Sequence, residues 1–114
     1  MTGHISCPAL TGREELPATF SPRIVQQILR EELRYDGVVV TDALEMKAAS
    51  GYMGKGVGPE EALKAGCDLL LFARGGEAAL RAREAVVKAV DNGKLSETGI
   101  DESLRRVLAL RMSF

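Results

Sequence analysis

Apolar positions recur along this chain with two spacings, and the alternation between them sets the expected architecture. Ile24, Val25, Ile28, Leu29 and Leu33 follow a helical repeat. Ser21 stands before them as a cap candidate, with Pro22 at the first helical position, so the spacing predicts an amphipathic helix ending near Leu33. Asp36-Gly37 then marks a turn, and Val38-Val39-Val40-Thr41 is an unbroken β-branched run, the pattern of a strand buried on both faces. A second helix is predicted from Pro59, with Glu60 and Glu61 near its positive end and Gly66 as its C-terminal cap. Asp68 to Phe72 reads as the next buried strand. After Gly75-Gly76 a longer helix aligns Ala79, Ala82, Val86 and Val90 on one face, leaves Arg81, Arg83, Glu84 and Lys88 on a solvated one, and ends at Asn92-Gly93. A last helix is predicted from Asp101, with Leu104, Val107, Leu108 and Arg111 along a stripe. Met1 to Ser6 reads as a further short strand.

Strands separated by helices throughout require parallel pairing and right-handed crossovers, so the expected class is α/β. About three such β/α units do not close a sheet, whereas an eight-unit barrel takes about 250 residues. A partial barrel and a doubly wound open sheet fit the periodicity equally.

Composition narrows the function classes. The chain has 114 residues, 46% hydrophobic and 27% charged, which suits one ordinary globular unit with a core of its own. Net charge is −1 with acids and bases interleaved, so there is no footprint for nucleic acid. No apolar run approaches a bilayer span and no targeting segment is present, so neither a membrane nor a secreted location is expected, and the cytoplasm is. Cys7 and Cys67 lie in or beside strand-like segments, where reduced, buried thiols are expected.

In parallel α/β architectures function gathers where strands run into the following loops. The candidates there are His4, Asp42 and Arg74, and Asp42 is the one acid directly at the end of a buried strand. An aspartate in that place suits nucleophilic attack on an anomeric carbon, general base work, metal ligation or an Asx cap on its own loop. His4 and Cys7 do not amount to a zinc set, and no metal or other cofactor is expected. The glycines between Gly51 and Gly58 invite a phosphate-loop reading. Neither standard spacing fits, because Gly56 follows Lys55 where Ser or Thr is required, and a flexible loop is expected instead.

Gly37-Val38-Val39-Val40-Thr41-Asp42-Ala43-Leu44-Glu45-Met46 resembles the nucleophile-bearing strand and turn of family-3 glycoside hydrolases. Met1 to Ile5 with Pro8-Ala9-Leu10 looks like the family's preceding strand. Pro17 to Ser21 with Leu29 to Leu33 is similar to its connecting helix, Glu61 to Leu71 to its last barrel strand with the lead-in helix, and Ile100 to Leu110 to its closing helix. The resemblance runs in order over nearly the whole chain. It implies one partial domain over residues 1–114, the last strands and helices of a TIM-like barrel plus a closing helix.

Ala43-Leu44-Glu45-Met46 is similar to the β-N-acetylglucosaminidase branch, whereas many β-glucosidases of the family carry Trp after the nucleophile and this chain has none. The resemblance implies a carbohydrate substrate with terminal β-linked N-acetylglucosamine, retaining hydrolysis, and Asp42 as nucleophile. Its acid/base, a histidine paired with an aspartate on a mobile loop, precedes the segment seen here, so weak or absent activity is expected of the chain alone. His4 matches a different histidine, which lines the sugar pocket or else supports the site from behind. Glu45 is given no catalytic role and is expected to stabilise the start of its own segment. The alternatives are a non-catalytic α/β module that self-associates through open sheet edges, a β-glucosidase of the same family, and a nucleotide-binding open sheet.

Overall fold

Five α-helices, two 3-10 turns and one π-helix make up the regular structure, with extended segments between them. The computed structural model describes residues 1–114. The short helix α1 (Pro8–Thr11) starts on proline and stops at Gly12, whose N–H returns to the Pro8 carbonyl. A 3-10 turn, Ala18–Phe20, buries Thr19 and Phe20 and feeds the π-helix Arg23–Glu32. A second 3-10 turn, Lys47–Ala49, runs into α2 (Ser50–Gly54). Then come α3 (Gly58–Ala65), α4 (Gly76–Asp91) and α5 (Glu97–Met112).

Local chemistry sets several of these boundaries. The Ser21 hydroxyl accepts from the Ile24 N–H at 3.2 Å, the capping role its place before Pro22 predicts. Glu60 and Glu61 sit in the first turn of α3, and Gly66 closes it at φ 116°, a left-handed conformation that glycine adopts without strain. Helix α4 has the predicted arrangement, with Ala82 buried and Arg81, Arg83, Glu84 and Lys88 on its more open side. The core lies between the Ala18–Phe20 turn, the π-helix and α3. Phe20, Val25, Val39, Leu44, Ala62 and Cys67 fill it. Each fully buried large apolar side chain there contributes about 1.5–3 kcal/mol.

The expected parallel strands of a partial TIM-like barrel are not formed. Three extended segments lie side by side, but they meet in isolated bridges only: Thr2 with Thr41 and Val40 with Leu69 in parallel sense, and Ser6 with Pro17 in antiparallel sense. No strand and no sheet result. An all-parallel sheet needs both faces covered. Here Leu69 and Leu71 remain 39% and 36% exposed, so the last segment is only partly covered, and its contacts stay at single bridges.

Other expectations need smaller corrections. The helix after Pro22 is π rather than α. Its closing bond runs from the Leu33 N–H to the Ile28 carbonyl, five residues back, at 2.9 Å. Leu33, placed by helical spacing on the buried stripe, is 68% exposed, and Arg34 at φ 55° turns the chain away. The last helix begins at Glu97, before Asp101, because the Ser96 hydroxyl accepts from the Gly99 N–H at 3.1 Å and caps it. Leu104 and Leu108 on that helix are exposed. The glycine-rich segment is no simple loop: Ser50–Gly54 is helical and Gly58 opens α3. No helix is long and apolar enough to cross a membrane.

Candidate functional site

Asp42 sits at the end of the middle extended segment, and its backbone is held from both sides. Its N–H donates to the Thr2 carbonyl at 3.1 Å. Next to it, the Thr41 N–H donates to the Leu69 carbonyl at 2.9 Å and the buried Thr41 hydroxyl accepts from the Leu71 N–H at 3.0 Å. Beyond it, the Leu44 N–H donates to the Leu71 carbonyl at 3.0 Å. The Asp42 side chain is half-buried. Oδ1 accepts from the Ala43 N–H at 2.7 Å, and Oδ2 has no hydrogen bond to the protein. One oxygen thus orients the carboxylate while the other stays available, an arrangement suited to attack on an electrophile as well as to an Asx turn.

His4 is brought to the same turn. Nε2 lies 2.8 Å from the Ala43 carbonyl and Nδ1 lies 2.8 Å from the Thr19 hydroxyl. A carbonyl only accepts, so Nε2 carries a proton in this arrangement. In the neutral ring Nδ1 accepts from Thr19, whose oxygen is 3.0 Å from the Thr2 hydroxyl. In the imidazolium Nδ1 donates instead, and the Thr19 hydroxyl turns to the Gly3 carbonyl at 3.2 Å. The network accommodates both charge states with one hydroxyl rotation. The His4 ring is also parallel to Phe20, centroids 6.2 Å apart, and Phe20 stacks on Tyr52 at 4.3 Å. Both ring nitrogens are engaged within the protein, so in this arrangement His4 holds the turn rather than offering a free polar edge.

Glu45 does not cap the start of its own segment, the role expected from the sequence, but reaches across to the loop after the third segment. Oε2 accepts from the Ala73 N–H at 2.9 Å and Oε1 from the Arg74 N–H at 3.0 Å. These two backbone bonds, with a smaller contribution from the Arg74 charge, hold its carboxyl below the ordinary value of 4.5. The loop after the third segment is thereby fastened to the Asp42 turn. Arg74, singled out in sequence as the third segment's end, enters through its backbone, and its side chain is exposed.

At the opposite end of that segment lies a polar cluster that sequence reasoning missed. The Asp68 carboxylate, fully buried, accepts from Arg30 at 2.6 Å and the Val39 N–H at 2.8 Å through Oδ2, and from the Ser103 hydroxyl at 2.7 Å and Arg106 at 2.9 Å through Oδ1. One signal pointed there: an acid opening an apolar segment cannot stay buried without cations. Nothing in sequence pointed to Thr19 as the partner of His4. Cys7 and Cys67 are both free thiols, and no group of three His, Cys, Asp or Glu side chains forms a metal-binding cluster.

Comparison with known proteins covers almost the whole chain. The model of the family described as "Glycosyl hydrolase family 3 N terminal domain" matches residues 1–110. A β-hexosaminidase from Pasteurella multocida is 42% identical over 91 residues, covering 79% of this chain and 24% of its own length. A "Beta-N-acetylglucosaminidase/beta-glucosidase" from Cellulomonas fimi is 26% identical, over 99% of this chain and 21% of its own. Among solved structures, a family-3 β-N-acetylglucosaminidase from Paenibacillus sp. str. FPU-7 superposes with a TM-score of 0.92 at 46% identity, covering 98% of this chain and 21% of its own. The chain therefore spans about a quarter or less of the length of the relatives it matches.

Proposed function

The chain belongs to glycosyl hydrolase family 3, and on that premise we propose that it carries the nucleophile turn of a hydrolase releasing terminal β-linked N-acetylglucosamine. The observation that carries this reading is the Asp42 carboxylate, oriented through Oδ1 by the Ala43 N–H with Oδ2 free, on a backbone tied to the segments on either side. In a retaining mechanism Oδ2 attacks the anomeric carbon as the glycosidic C–O bond breaks and the leaving oxygen takes a proton. Water then attacks the glycosyl-enzyme, losing a proton to a base, and frees the carboxylate. A carboxylate suits both steps, as nucleophile in the first and leaving group in the second.

No side chain of this chain is assigned the acid/base role. Both Glu45 oxygens are taken by Ala73 and Arg74, and both His4 nitrogens by Ala43 and Thr19. A positioned acid/base is worth about a hundred- to ten-thousand-fold, so the chain alone is expected to be slow on substrates with poor leaving groups. A dinitrophenyl glycoside departs without protonation and removes that requirement.

The testing experiment compares the chain and Asp42→Ala, both verified as folded, on dinitrophenyl β-N-acetylglucosaminide and dinitrophenyl β-glucoside, with and without azide. Release from the acetylglucosaminide that depends on Asp42, and an α-configured glycosyl azide from the variant, are expected. Equal rates with and without Asp42 would overturn the nucleophile assignment. Faster release from the glucoside would favour the β-glucosidase reading, for which the doubly named Cellulomonas fimi relative is the supporting observation.

A further inference from the structure

The turn from Asp42 to Glu45 is fastened at several points. The His4 ring donates to the Ala43 carbonyl at 2.8 Å, and the Leu44 N–H donates to the Leu71 carbonyl at 3.0 Å. Both of these bonds survive any change in side-chain ionisation at the turn, because backbone groups do not titrate and His4 Nε2 carries its proton in either charge state. Glu45 supplies a further attachment, and it is of a different kind. Two consecutive N–H groups, of Ala73 and Arg74, point at the two oxygens of one carboxylate at 2.9 and 3.0 Å. Only the ionised acid accepts both bonds in full strength, since the protonated acid gives up one oxygen to its own hydrogen.

This attachment lies three residues from Asp42 and joins its turn to the loop that follows Phe72. We propose that Glu45 is a positioning residue for Asp42: its ionised carboxylate latches the 73–74 loop onto the turn and thereby sets the direction in which Asp42 presents its free oxygen. The proposal rests on Asp42 as nucleophile and identifies what orients it. The charged groups around Glu45 are Arg74 in the latched loop, Arg81 from α4, which lines the same cavity of about 530 Å³ and is paired with Glu77 at 3.1 Å, and Asp42 in the turn itself. The Arg74 charge favours the ionised latch. The two backbone bonds make the largest contribution, and they favour ionisation.

The experiment uses the isotopically labelled full chain with Glu45→Gln, Glu45→Ala and, as a control on α3, Glu61→Gln. Amide hydrogen exchange is followed at Ala43, Ala73 and Arg74, and the chemical shift of the Asp42 carboxyl carbon is recorded by NMR. In Glu45→Ala the Ala43 amide, whose bond goes to Asp42 rather than to Glu45, is expected to exchange about fivefold to tenfold faster, the equivalent of roughly one lost hydrogen bond. The chemical shift of the Asp42 carboxyl carbon is expected to move with it. Glu45→Gln keeps one accepting oxygen and is expected to fall between wild type and Glu45→Ala, while Glu61→Gln matches wild type. An Ala43 amide and an Asp42 carboxyl chemical shift that are unchanged in both Glu45 variants would overturn the proposal, even if Ala73 and Arg74 loosen. Failure of Asp42 in the hydrolysis test would leave this amide result standing, so the two readings fail separately.

Discussion

Arg30 and Asp68 meet at 2.6 Å with 6% and 0% of their side chains exposed, and each satisfies groups that the fold has buried. Arg30 also donates to the Gly66 carbonyl at 2.9 Å and the Gly37 carbonyl at 3.1 Å, closing the end of α3 and the turn before Val38. Asp68 uses its other lone pairs on Val39, Ser103 and Arg106. The pair thus ties the π-helix, the middle segment, α3 and α5 together.

Removing Asp68 leaves the buried Arg30 charge with backbone carbonyls alone, and removing Arg30 leaves the buried Asp68 carboxylate with Arg106 as its one cation. Arg30→Ala and Asp68→Ala are each expected to cost about 3–5 kcal/mol of unfolding free energy, and Arg30→Met with Asp68→Leu less than the sum of the two single changes. Urea unfolding checks the magnitudes. Because α5 has no buried residue of its own, its amides should lose protection first in Asp68→Ala, which hydrogen exchange reads directly.

His4→Ala removes the bonds to Ala43 and Thr19 and the ring that packs on Phe20. The expected loss is about 2–4 kcal/mol, two hydrogen bonds and the penalty of the groups left unpaired. Chemical denaturation measures it. A loss under about 0.5 kcal/mol would mean that Thr19 and the Ala43 carbonyl find other partners.

Gly66→Ala is expected to destabilise the chain for two separate reasons. At φ 116° an L residue carries about 1–2 kcal/mol of strain, and the added methyl would lie 3.1 Å from Val25 Cγ1, inside the core. Thermal unfolding of Gly66→Ala beside Gly54→Ala, where a methyl meets nothing within 4 Å, separates this site from an ordinary helix position.

Burial pushes the Cys67 thiol up from 9.0 to about 11. The folded state therefore holds its proton where the unfolded chain releases it. The stabilising contribution is full below pH 9 and is lost as pH rises from 9 to 11, and Cys67→Ser should flatten that part of the stability profile. At about pH 8 an alkylating reagent is expected to modify the half-buried Cys7 and to reach Cys67 only in denaturant, a difference that mass spectrometry resolves.

The features legible along the chain are those whose physics is local. Helix α3 carries Pro59 and two glutamates in its first turn and stops at Gly66. Helix α4 shows its buried and solvated faces as a repeat of apolar and charged residues. Ser21 caps the π-helix because its hydroxyl needs to reach only three residues along the chain. Asp42 stands out as a candidate as well, since an acid at the end of a β-branched run is conspicuous and its surroundings resemble a known family turn. The extended segments were also legible as extended, but not their pairing. Val38 to Thr41 has strand propensity, yet a ladder depends on what covers its neighbours, and with Leu69 and Leu71 left open the contacts stop at single bridges. Long-range partners were equally hidden. Asp68 reaches Arg30 and Arg106 across 38 positions in each direction, His4 reaches Ala43 across 39, and Glu45 reaches Ala73 across 28. Periodicity and caps are settled by residues within a turn or two of one another. Which buried charge meets which cation, and which loop is latched to the Asp42 turn, depends on distances that exist only once the chain has folded back on itself.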